Sequence, residues 1–339
     1  MQEKIKILKF IFLSVIIVSL FTYRDFLYNV KLMLFHFYNY KMLPLDPYYQ
    51  IILKYSGLSN DHFRFPWEWR VIPNIINWLA FEILPCFKPR VIPDQISDST
   101  YCSIWSISVV NFIAGIFAQV LLCYYAFIKL KRENYECIFL MFTSYFLIKF
   151  LDPFGVDRIS FLFLIIFLFF EKSKFSYFFI IFSILVNDKC LLFITTYYFC
   201  KTIDYNNLKK IILNKKSLIS LLISILYLCY IFKIIRDINS EEVSYNYFNF
   251  NSLTNTILPS LIVVFPFFAN FQNRKILHEF NLDKNHIYFI LIFFILGLVV
   301  GGPGNTGRYV VFGSLLFLPI LNYQILKIIR NLLSNINNE

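Results

Sequence analysis

The chain has 339 residues, of which 58% are hydrophobic and only 16% charged, with a mean hydropathy of +0.61. Soluble domains carry about 25% charged residues, so the composition disfavours a soluble enzyme, a nucleic-acid binder and a disordered scaffold. The net charge of +11 is then first a matter of membrane topology, because basic residues collect in cytoplasmic loops.

Taken in order, the chain opens with a basic flank (Lys4, Lys6, Lys9) and an apolar stretch that no small-residue cleavage site follows, which predicts a retained first helix over residues 7–22. Further apolar runs cover 101–128, 137–151, 159–170, 175–186, 190–200, 217–232, 253–271, 286–300 and 309–326. The expected fold is all-α: a single polytopic membrane domain over 1–339 with about 10 transmembrane helices (range 8–11) and no soluble domain. Residues 23–100 form the first extracytoplasmic loop, with an interfacial helix near 71–85. With both termini cytoplasmic, 18 of the 32 basic residues fall in cytoplasmic stretches and 5 in the short outer loops. That asymmetry carries the orientation. The stretch 175–200 reads as two short helices broken at Asn187, Asp188 and Lys189.

Under this topology the polar motifs gather on the outer side: LPLDPYYQ and NDHFRFPWEWR in the first loop, DPFGVDR, NDK, RDINSEEVSYNYFN and GGPGNTGRY. Ionisable groups at a membrane edge are costly to place and are functional candidates. Seven of the 12 prolines and Trp67, Trp69 and Trp78 lie in the first loop, and six of nine glycines lie from Gly297 to Gly313. Rigid turns, interfacial anchors and an adaptable backbone are thus concentrated on the same side.

Asp46, set among Pro44, Pro47, Tyr48 and Tyr49, is a carboxylate suited to act as a general base toward an acceptor hydroxyl. An Asx-type turn before Pro47 is its other reading. Arg308, after the glycine-rich stretch, suits bidentate phosphate binding, against a snorkelling role at the interface. Lys189 and Arg158 are further phosphate ligands in prospect. Their alternatives are helix capping around Asn187 and Asp188, and an ion pair with Asp157. Arg70 suits a headgroup or the substrate. Cys86 and Cys102 share the oxidising outer region, but buried free thiols are the expected state. The histidines show no metal-ligand spacing, and no metal or other cofactor is expected.

The arrangement resembles the multi-span C-type glycosyltransferases (GT-C). The likeness lies in a first helix, an outer loop with an acid (Asp46 in LDPYYQ) and a juxtamembrane helix (RVIPNIINWLAFEIL), short central spans, and a late arginine (Arg308 in NTGRY). The resemblance implies transfer of a sugar from a polyprenyl-phosphate-linked donor to a glycan or lipid-linked acceptor at the outer face of a bacterial inner membrane. Asp46 would be the catalytic base. Arg308, Lys189 and Arg158, with Tyr48, Tyr49 and Arg70, would bind donor and phosphate. No Asp-x-Asp pair occurs in the first loop, which argues against metal dependence. A surface-polysaccharide polymerase or ligase and a lipid or polysaccharide transporter are the alternatives; membrane lipid is a partner in each, nucleic acid in none.

Overall fold

The computed structural model describes residues 48–58, 70–90, 97–149, 157–202, 214–237, 258–300 and 311–336, with isolated positions between 9 and 23. The described residues are helical, without a strand. In chain order the helices are α1 (Tyr48–Tyr55), α2 (Val71–Ile83), α3 (Asp98–Ile128), α4 (Asn134–Lys149), α5 (Asp157–Phe170), α6 (Ser176–Val186) and α7 (Asp188–Thr202). They are followed by α8 (Lys215–Asp237), α9 (Leu258–Ala269), α10 (Arg274–Glu279), α11 (His286–Val300), a 3-10 turn at Leu315–Phe317 and α12 (Leu318–Ile336).

The structure corrects the expectation of about 10 transmembrane helices. Among the described residues two helical stretches are long and apolar enough to cross a membrane, Asp98–Ile128 and Val311–Asn335. They are the structural indication of membrane association. Many of the apolar runs break before they reach spanning length. Turns follow Phe170, and Asn187 separates α6 from α7. With 11 residues, α6 rises about 17 Å, against a hydrocarbon core of about 30 Å. The two-helix reading of 175–200 holds, but as short helices and not as spans.

The chain forms two compact units. Unit 1 comprises Met1–Leu121, Leu151–Phe163 and Ile184–Asp188. In it, α1 ends in a left-handed glycine, Gly57 at φ +70. The Leu58 amide donates to the Leu53 carbonyl at 2.8 Å and the Gly57 amide to Lys54 at 3.0 Å, the bond pair that closes a helix at glycine. Pro73 sits in the first turn of α2, where no amide bond is lost. The helix stops where Leu84 turns extended, ψ 130, as a residue preceding a proline, here Pro85, prefers. Ile51, Ile52 and Ile107 form a small core, with Trp78 and Phe81 packed against it. Glu82 joins α2 to the end of α1, accepting from Ser56 Oγ at 2.8 Å and from Trp78 Nε1 at 3.1 Å.

Cys86 and Cys102 are bonded, with a Cα–Cα distance of 5.7 Å, which corrects the expectation of free thiols. The extended segment beyond Pro85 brings Cys86 against the first turns of α3, a proximity that sequence separation alone does not reveal. Closing a loop of this size is worth about 3 kcal/mol in the chain-entropy picture.

Unit 2 comprises Leu122–Phe150, Leu164–Ser183 and Lys189–Glu339. Its interior is aromatic: Phe167 meets Tyr197 and Tyr198 edge-on at 5.5 and 5.7 Å between centroids, and Phe193 meets Phe289 at 5.0 Å. Around Glu171 a polar hub ties three helices together. Lys201 Nζ pairs with its carboxylate at 2.8 Å, and the Tyr198 hydroxyl and Lys216 Nζ donate to its carbonyl at 2.9 and 2.8 Å. Gly313 allows a close approach, since a β-carbon there would stand 2.6 Å from Phe293 Cβ. Gly313→Ala is therefore expected to destabilise the protein by about 1–3 kcal/mol through overpacking. Thermal unfolding in detergent measures this, and an unchanged midpoint would mean that the helices do not meet so closely.

Candidate functional site

Three segments bring charged and polar groups together in unit 1: the start of α2, the start of α5 and the α6–α7 turn. The turn exists because Asn187 interrupts an otherwise continuous apolar run. Asn187 is fully buried. Its Nδ2 donates to Asp157 Oδ1 at 3.4 Å and to Ser160 Oγ at 3.1 Å. The next residue, Asp188, accepts from Arg70 Nη2 at 3.3 Å, with both side chains largely shielded. Arg70 stands at the entrance of α2 and makes no side-chain capping bond there.

Asp157 and Arg158 are 2% and 6% exposed. Removing an ion from water costs several kcal/mol unless charges and hydrogen bonds replace the lost hydration. The four charged residues, two acids and two arginines, sum to zero. Asp157 also lies in the first turn of α5, where the helix dipole favours a negative group. The cluster is thus a neutral, internally bonded constellation and not an open cationic patch. A phosphate reaching Arg70 would have to replace the Asp188 carboxylate, an exchange of one bidentate-capable acceptor for another.

Asn77 is different. It is fully buried, and neither its Oδ1 nor its Nδ2 has a hydrogen-bond partner among the described residues. An unsatisfied buried amide costs about 1–3 kcal/mol. Such a cost in the middle of a helix is the kind that a binding function tolerates. An amide offers one acceptor and two donor hydrogens, which matches a sugar or other polyol hydroxyl.

The candidates read from sequence fall in different units. Arg70 and Arg158 belong to unit 1, and Arg70 is engaged with Asp188. Lys189 belongs to unit 2, where it is 3% exposed and its ammonium lies 5.6 Å from the Phe312 ring centroid, a cation–π distance. Tyr48 and Tyr49 open α1, and their side chains lie outside the described residues. Asp46 and Arg308 lie outside them as well. No cluster of three metal-ligating side chains occurs among the described residues.

Asn74 and Asn77 were missed as site residues. Their signal was in the pattern of α2, where they occupy one stripe and Ile75, Ile76, Leu79 and Ile83 the other. The structure buries the asparagines and exposes the aliphatic stripe, the reverse of a helix in a water-soluble domain.

No known protein family, curated protein or solved structure matches the chain.

The two buried asparagines predict opposite responses. Asn77→Leu removes unsatisfied polar atoms and is expected to leave thermal stability unchanged or raised. Asn187→Leu strips the bonds to Asp157 and Ser160 and is expected to cost about 1–3 kcal/mol. Paired unfolding curves in detergent test the contrast, and equal losses at both positions would refute the distinction.

Proposed function

We propose that the chain is a membrane glycosyltransferase that moves a sugar from a polyprenyl-phosphate-linked donor to a lipid-borne or cell-surface glycan acceptor. The observation that supports this reading is a pair of polar groups on one helix of unit 1: Arg70 at its start, paired with the Asp188 carboxylate, and the buried Asn77, whose amide has no hydrogen-bond partner among the described residues. Together they offer a contact for phosphate and a contact for a hydroxyl. In the reaction, the acceptor hydroxyl oxygen attacks the anomeric carbon and gives its proton to Asp46. The bond from that carbon to the phosphate oxygen breaks, and its electron pair stays on the phosphate. Arg70, with Arg158 of the same unit, stabilises the charge that develops there, help worth on the order of 3 kcal/mol per well-placed donor.

Two features support this side of the membrane. The Cys86–Cys102 bond is of a kind that persists in oxidising compartments, which supports an extracytoplasmic place for the first loop. At the other end of α3, Lys129, Lys131 and Arg132 have the character of a cytoplasmic flank, as do Lys327 and Arg330 near the C-terminus. This favours a multi-pass protein of a bacterial inner membrane with both termini in the cytoplasm. The outward-facing apolar stripe of α2 then lies along the outer interface, its buried asparagines turned away from lipid.

Asp46→Asn is expected to abolish sugar transfer while leaving abundance in the membrane unchanged. Transfer at the wild-type rate by that variant would sink the assignment. A strain lacking the protein separates the related readings: a missing sugar or branch fits the transferase, and accumulated single repeat units fit a polymerase.

A further inference from the structure

Unit 2 contains a second place suited to phosphate, built from residues that the transferase reading does not use. A cavity of about 220 Å³ is lined by Arg274, Leu277, His278, Asp283, Lys284 and Asn285. Arg274 and His278 are four residues apart on α10, so their side chains share a face. Neither side chain makes a hydrogen bond or ion pair among the described residues, and both are exposed. Lys284 comes from the following turn. Its ammonium is steadied by Gln272 Oε1 at 3.4 Å and lies 5.1 Å from the Phe271 ring centroid, leaving donor hydrogens for another acceptor.

Asp283 is the one acid in the lining, and its charge is already engaged. Its Oδ1 lies 2.9 Å from His286 Nδ1 and accepts from the Asn285 amide at 2.9 Å. Burial alone would raise this carboxyl. The bond and charge of His286, the Asn285 amide and the charge of Lys201 outweigh it, so Asp283 ionises below its ordinary value. It is thus held as a carboxylate with one oxygen on His286 and Asn285, and neither Arg274 nor Lys284 is ion-paired among the described residues. Helix-end geometry adds nothing to the site, because the α10 start is satisfied by Asn273, whose side chain accepts from the Ile276 amide.

The surroundings say what kind of phosphate fits. On α9, which precedes the cavity, Leu261, Ile262, Phe265 and Phe268 are exposed, and on α11, which follows it, so are Leu291 and Ile295. Exposed aliphatic and aromatic faces on both flanking helices beside a cationic recess form an amphipathic arrangement. We propose that the Arg274–His278–Lys284 cavity binds a phosphate group, supplied either by an anionic phospholipid headgroup or by a free phosphate. Arg274 makes the bidentate contact and Lys284 the point-charge contact.

The test uses the full-length protein in neutral detergent, with dioctanoyl phosphatidylglycerol and inorganic phosphate as separate probes in calorimetric titrations. Arg274→Gln and Lys284→Gln are each expected to weaken binding about tenfold, Arg274→Lys to recover part of the loss, and Lys275→Gln, outside the cavity, to change it less than twofold. Saturable binding of inorganic phosphate that displaces the lipid identifies free phosphate as a sufficient source. Lipid binding that inorganic phosphate does not displace identifies the headgroup as the source. Unchanged affinity in the Arg274→Gln/Lys284→Gln double variant, or an equal loss in Lys275→Gln, overturns the proposal. Unfolding midpoints measured alongside separate lost binding from lost fold.

Discussion

Among the described residues one constraint stands out: many apolar side chains are exposed, while several polar side chains on the same helices are turned inward. Unit 1 shows this in α2, where Asn74 and Asn77 are buried and Ile75, Ile76, Leu79 and Ile83 are exposed. Unit 2 shows it in α8. There Ser217 and Ser220 are buried, Ser224 Oγ lies 2.8 Å from Thr195 Oγ1, and Leu218, Leu221, Leu222, Ile225 and Leu226 are exposed. In water, contiguous apolar faces of this kind would be covered by another surface. In hydrocarbon the balance is reversed, and polar groups find their partners inside the protein.

That requirement explains why the buried polar groups form bonded sets. At Glu171 the carboxylate takes Lys201 and the backbone carbonyl takes Lys216 and the Tyr198 hydroxyl, and the result is structural: three helices are held at one point. The unit 1 constellation follows the same physics with a different remainder. Asn187 donates to both Asp157 and Ser160, Arg70 is paired with the Asp188 carboxylate, and Asn77 is left with unmet hydrogen-bonding capacity among the described residues. A closed network stabilises, and an unpartnered buried amide such as that of Asn77 costs stability until something bonds to it.

Sequence made some of this legible. The all-helical class followed from the apolar runs, the break at Asn187 from three consecutive polar residues inside such a run, and the helix at Val71–Ile83 from an apolar stretch beside the interfacial tryptophans Trp67, Trp69 and Trp78. The number of spans did not follow, because hydropathy records how apolar a run is and not whether turns cut it below the membrane thickness, as they do after Phe170 and at Asn187. The Cys86–Cys102 bond was a matter of proximity created by the extended segment after Pro85. Arg70 and Arg158 were recognised as charges at a boundary. That Arg70 is held by Asp188, more than a hundred residues away in the chain, is a tertiary fact that no local pattern encodes. The asparagines of α2 were visible as a polar stripe, but their burial depended on the solvent facing the opposite stripe.

The most direct measurement is transfer itself. Purified full-length protein in proteoliposomes is given a polyprenyl phosphate carrying a labelled sugar, together with a membrane glycan fraction as acceptor. The account predicts that label moves covalently to the acceptor and that free polyprenyl phosphate appears in equal amount. Label that crosses the bilayer without any covalent product, or a folded protein that leaves the donor intact with every acceptor fraction supplied, would contradict it.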